Sequence, residues 1–215
     1  MPSFHDFRFL STDGKHNVFA RECTPDGEVR AVLQIAHGVA EHIYRYAPFM
    51  EFLAENGFVV VANDHLGHGK TAENEQELCF FAEKDGWNDV VSDMDTLHKL
   101  TAAKYPGVPY FLFGHSMGSF LTRTYIIDHP EGLKGVVISG TGQNPGAVIA
   151  AGKLMAKLEM IDNGPMYHSP TLDKLAFGSY NKKYDHVRTK LDWLTRDEAI
   201  VDQYITDPVS YTHLT

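Results

Sequence analysis

The sequence predicts an α/β fold, a mostly parallel sheet flanked by helices, and three observations predict it. Short apolar runs alternate with longer segments of helical spacing, and the pattern repeats along the first two thirds of the chain. The apolar runs are nearly continuous, as in strands covered on both faces. Connections of a few residues join strand to helix and helix to strand, the layout of βαβ units with parallel pairing.

Each element has its own signal. Residues 4–24 alternate weakly around Asp13-Gly14 and predict an opening β-hairpin. Residues 30–37 (RAVLQIAH) and 58–63 (FVVVAN) predict two strands. Between them, 44–56 has helical spacing through Tyr46, Phe49, Met50 and Leu53, with Gly57 as its cap. A second helix is predicted over 87–104, with Val90, Val91, Met94, Leu97 and Leu100 along one face. Residues 109–113 (PYFLF) predict a strand, 117–128 a helix and 133–139 (LKGVVIS) another strand. After Gly142 the rhythm changes: 146–162 reads as a helix, followed by a Gly-, Pro- and Asn-rich stretch and short helical pieces to Tyr204. No β-rich run follows, so this part reads as a helical insertion on the sheet.

Composition narrows the function classes. The 215 residues are 43% hydrophobic and 22% charged, with a net charge of −9 and no basic block of five or more residues. Phosphate binding needs clustered Lys and Arg, so nucleic acid is excluded as the main partner. Cys23 and Cys79 are far apart and show no zinc-type spacing, so free thiols in a reducing compartment are expected. No apolar run approaches the ~20 residues of a membrane span, and the N-terminus shows no secretory pattern. A cytoplasmic, soluble protein is expected.

Gly114-His115-Ser116-Met117-Gly118 fits G-x-S-x-G. Two glycines and a serine arise by chance in about several per cent of chains this long, so context decides. Here Ser116 follows PYFLF and opens SMGSFLTRTYIIDHP, the strand-to-helix turn that exposes a nucleophilic serine. Flanking glycines fit such a turn because a side chain there would collide with neighbouring backbone. A serine hydroxyl also needs a base, an orienting acid and an oxyanion hole. His37-Gly38-Val39, just after an earlier strand, stands where one backbone N–H donor is expected; Met117, the residue after the serine, supplies the other.

HGVAEHIYRY (37–46), NDHLGHGKT (63–71) and GHSMGS (114–119) together resemble the monoacylglycerol lipase and lysophospholipase branch of the α/β-hydrolases, of the serine aminopeptidase S33 type. The resemblance runs from about Phe4 to Pro208. It implies Ser116 as nucleophile, Val39 and Met117 as oxyanion donors, and His37, Gly38, Gly114, His115 and Gly118 as motif support. It implies an α/β-hydrolase fold with 1–143 as the N-terminal part of the core and 144–208 as a helical cap, or lid, over the active site. The implied reaction is cleavage of carboxylic esters, monoacylglycerols or lysophospholipids, through an acyl-enzyme, with no cofactor and no metal. His37, His42, His65, His68 and His115 are then loop and packing residues, and Asp64, which precedes the serine, holds the Gly67–Gly69 loop. The apolar face of 146–162 is open to core packing or to peripheral contact with lipid. A peptidase or other acyl hydrolase on the same fold, or a non-catalytic binding protein, are the alternatives.

The remaining triad members have no place in this reading. Gly140-Thr141-Gly142-Gln143 carries no carboxylate, and His213 has no strand before it. The last seven residues, VSYTHLT (209–215), resemble the in-frame translation of a sequencing-library adapter. The expectation is therefore a truncated chain with a non-native tail, missing its last strands and inactive by itself.

Overall fold

The computed structural model describes residues 1–207; the expected tail at 209–215 lies outside the described residues. They form two compact units, one spanning Met1–Gly142 and the other beginning at Gln143.

The first unit is a six-stranded sheet in the order β1-β2-β4-β3-β5-β6. β1 (Ser3–Leu10) and β2 (Asn17–Thr24) form the predicted antiparallel hairpin, and β2 runs antiparallel to β4 (Phe58–Asn63). β3 (Ala31–Ala36) lies parallel to both β4 and β5 (Tyr110–His115), and β5 parallel to β6 (Leu133–Ser139). The chain thus reverses direction across the sheet at β3, so loops after β3 and β5 emerge side by side. Crevices at such switch points are where α/β proteins place ligands.

Helices cover both faces. α1 (Ala47–Glu55) lays Met50 and Ala54 on Leu33, Ile35, Val60 and Ala62. On the other face, α2 (Gly86–Lys104) and α3 (Met117–Asp128) bring Val90, Met94, Leu121 and Tyr125 onto Ala36 and Leu112. Each fully buried side chain of this size contributes about 1.5–3 kcal/mol of transfer free energy. One polar residue crosses the core: Gln34 donates to the Met94 carbonyl at 2.9 Å and accepts from the Tyr110 hydroxyl at 2.7 Å, so burial leaves neither amide group unsatisfied.

Three readings need correction. Of the predicted α2 stripe, Val90, Val91, Met94 and Leu97 are buried but Leu100 is 49% exposed, and the covered side also takes in Asp93, His98 and Thr101. These polar side chains are tolerated because each finds a partner; Asp93 accepts from Ser11 Oγ at 2.7 Å and the Thr12 amide at 2.8 Å. β5 runs two residues beyond its predicted end, through Gly114 and His115, because both pair with β6. β6 is not covered on both faces: it closes the sheet order at one edge, with Val137 51% and Ile138 38% exposed.

The second unit contains α4 (Gly146–Asn163), α5 (Pro170–Phe177) and α6 (Glu198–Thr206). Its side-chain caps are regular: Ser169 accepts from the Leu172 amide, and Asp197 from the amides of Ala199 and Ile200. Leu191, Val201 and Tyr204 make a small core with Trp193, Leu194 and Ile205. No residue of α4 is buried, and Val148, Leu154, Leu158 and Ile161 are exposed.

Candidate active site

Ser116 stands between the end of β5 and the first residue of α3, with φ 52° and ψ −118°. A non-glycine residue in the left-handed half of the map costs about 1–3 kcal/mol, held only where surroundings over-determine it. Here they do. The Ser116 amide donates to the Ser139 carbonyl at 3.0 Å, and the Ser116 carbonyl accepts from the Ser119 amide at 2.9 Å and Ser119 Oγ at 2.6 Å.

The glycines on either side make the turn sterically feasible. A Cβ at Gly114 would meet Thr122 Oγ1 at 2.3 Å and the Gly118 carbonyl oxygen at 2.5 Å. At Gly118 it would lie 2.0 Å from the Ala36 carbonyl oxygen and 2.6 Å from that of His37. The start of α3 therefore sits directly on the backbone leaving β3. Met117, half-buried, packs against the core on the α2 and α3 side of the sheet.

That backbone carries His37, Gly38 and Val39. A Cβ at Gly38 would be 3.2 Å from Ser116 Cβ and 2.7 Å from Glu41 Oε1, so the two predicted segments come into contact. Glu41, which sequence reasoning gave no role, anchors the loop. Its buried carboxylate accepts from the Gly38 amide, from the Tyr46 hydroxyl at 2.7 Å and from the Arg45 guanidinium. The one sequence signal was its presence in HGVAEH. Val39 is half-buried, and Ala40 beside it takes φ 56°.

The histidines divide into distinct environments. His37, His65 and His68 are buried together, with ring centroids 4.1 Å apart for His37 and His65 and 5.3 Å for His37 and His68. Burial pulls all three imidazoles below the usual range, His65 to about 3, so they stay neutral. His115 lies apart, with Nδ1 3.3 Å from Ser139 Oγ. His42 neighbours Tyr44. Among the described residues no group of three or more His, Cys, Asp or Glu is arranged to hold a metal ion. Cys23 and Cys79 are free thiols.

Asp64 is buried and accepts from the Ile43 amide at 2.9 Å and the Lys70 amide at 2.8 Å. It thereby joins the loop after β3 to the loop after β4, and a Cβ at Gly69 would lie 2.2 Å from its carboxylate. Burial raises its pKa against the pull of those two amides. Ser116 Oγ, by contrast, has no hydrogen bond to a histidine or carboxylate among the described residues, and His213 lies outside them.

Comparisons with known proteins fit this geometry. The family described as "Serine aminopeptidase, S33" matches residues 27–215. Mouse (Mus musculus) monoglyceride lipase is 28% identical over 202 residues, covering 93% of this chain and 58% of the relative. The monoacylglycerol lipase of Mycolicibacterium smegmatis is 32% identical over 140 residues, covering 63% of this chain and 48% of the relative. Among solved structures, a thermostable carboxyl esterase from Bacillus coagulans superposes with a TM-score of 0.85 at 32% identity, covering 96% of this chain and 66% of that one. The chain thus spans about half to two thirds of the length of these relatives.

Proposed function

The chain belongs to the serine aminopeptidase S33 family, with the α/β-hydrolase fold, and from that premise we propose that it carries the nucleophile and oxyanion hole of a serine esterase. In the whole protein Ser116 attacks the carbonyl of a carboxylic ester and gives its hydroxyl proton to a base outside the described residues. The amides of Val39 and Met117 hold the developing oxyanion, and its collapse expels the alcohol, which takes up that proton and leaves the acyl group on Ser116. One observation carries this reading: the strained Ser116 turn lies against Gly38 of the neighbouring loop. Preorganised amides of this kind are usually the largest single contribution to acyl-transfer catalysis.

Monoacylglycerols or lysophospholipids are the proposed substrates, in keeping with the lipase names of the relatives. The helical segment 144–208 is the proposed cap, and the uncovered apolar side chains of α4 support peripheral contact with lipid through it. No helix among the described residues is long and apolar enough to cross a membrane. The 215-residue chain by itself turns over esters slowly or not at all, because no described histidine or carboxylate serves Ser116. Oxyanion hole and binding alone leave roughly 10³–10⁴-fold catalysis over water.

A fluorophosphonate probe tests the assignment. In the whole protein, stoichiometric labelling at Ser116 is expected, lost in Ser116→Ala and on denaturation; modification at another serine, or none, removes the nucleophile reading. Robust Ser116-dependent hydrolysis of p-nitrophenyl esters by the 215-residue chain would overturn the claim that it is inactive alone. The family's aminopeptidase description favours one second reading, a peptidase, which preference for aminoacyl over ester substrates would reveal.

A further inference from the structure

We propose that His37 is a positioning residue that aims the Val39 amide, acting through the Gly38–Val39 peptide plane; this rests on Val39 being an oxyanion donor. His37 Nδ1 lies 2.7 Å from the Gly38 carbonyl oxygen, and a carbonyl only accepts, so Nδ1 carries the proton. His37 Nε2 accepts from the His65 amide at 3.0 Å, so Nε2 is bare. Both bonds exist together only in the neutral, Nδ1-protonated tautomer.

The consequence follows from peptide geometry. The Gly38 carbonyl and the Val39 N–H belong to one planar, trans unit and point in opposite directions. A ring that fixes the carbonyl on one side therefore fixes the N–H on the other. The preceding peptide is fixed as well, since the Gly38 amide donates to Glu41. Glycine would otherwise leave both planes free to turn, because it populates both halves of the backbone map with little penalty. The ring cannot swing away: His37 is 0% exposed and lies tilted against His65, with centroids 4.1 Å apart. The His65 amide, from the end of β4, thus selects the tautomer that orients a peptide after β3.

Two variants separate this role from packing. His37→Asn keeps a donor near the position of Nδ1, whereas His37→Phe keeps an aromatic ring without one, so the two differ in the contact that matters. Nitrogen-15 NMR of the full chain is expected to show the Nδ1-protonated tautomer at His37. The Val39 amide resonance should stay close to wild type in His37→Asn and shift strongly in His37→Phe. Fluorophosphonate labelling of Ser116 in the whole protein should be about 10–100-fold slower in His37→Phe than in His37→Asn, short of the roughly 10²–10³-fold cost of deleting an oxyanion donor. An Nε2-protonated ring, or a Val39 resonance alike in both variants, overturns the proposal. If Ser116 of the whole protein does not react at all, the nucleophile reading fails, and the tautomer and Val39 resonance still decide the role of His37.

Discussion

A methyl group at Gly118 would sit 2.0 Å from the Ala36 carbonyl oxygen, whereas one at Gly152 of α4 would meet nothing within 4 Å. The two glycines look alike in a sequence and are opposite in what they do. Gly118→Ala must push α3 off the backbone leaving β3, and overpacking of that kind costs typically 1–3 kcal/mol. Gly152→Ala adds a good helix former inside a helix with open space, and should stabilise it by about 0.5–1 kcal/mol. Urea unfolding of both variants checks the pair, and equal effects would contradict the contacts at Gly118. The same contrast separates residues that could be read ahead from those that could not. Ser116 was marked by its glycines and by the strand before it. Glu41 was not, because its importance lies in which amide its carboxylate meets, a fact of loop conformation.

Elements were legible where one periodicity governed them. β4, α3 and β6 have the predicted boundaries, since each is a short apolar run or a helix bounded by turn residues. β5 extended further because pairing with β6 continues past the apolar run, and pairing partners are invisible to a local pattern. Leu100 failed for a related reason. Helical spacing puts it near the apolar stripe, yet the covered side of α2 extends past Val90, Met94 and Leu97 toward Asp93, His98 and Thr101 and leaves Leu100 out. β6 carries the element-scale prediction. Among the described residues it is paired with a strand on one side alone, and it exposes Val137 and Ile138, a combination that invites self-association. Val137→Lys should lower concentration-dependent light scattering while leaving the melting temperature within a few degrees of wild type. Unchanged scattering would locate the sticky surface elsewhere, with the exposed apolar side chains of α4 the next place to look.

At the scale of the whole molecule, buried titratable groups shape the response to acid. His37, His65 and His68 have folded pKa values below the ordinary histidine value of about 6.5. Below pH 6.5 the unfolded chain takes up protons that the folded chain refuses, so these three contribute stability above that pH and lose it on acidification. Asp93 acts in the opposite sense: burial raises its carboxyl to about 6, so between its ordinary value of 3.8 and about 6 the folded chain holds the extra proton. The two effects partly cancel, and a difference measurement isolates one of them. His65→Asn should lose about 1–2 kcal/mol less stability than wild type between pH 7 and pH 5, since His65 is lowered to about 3. Urea unfolding at the two pH values measures it; parallel losses would mean that His65 is protonated in the folded state.

The sequence by itself determined the α/β class, the order of strands and helices through residue 142, and the Ser116 motif. Hydrophobic period and turn chemistry act over a few residues and can be read from them. Only the tertiary structure decided that Gly38 meets Ser116 and that Glu41 and His37 are hydrogen-bonded to the two peptides of that loop. Those outcomes depend on which distant backbone groups find each other once the sheet assembles, and close packing then fixes them to fractions of an ångström.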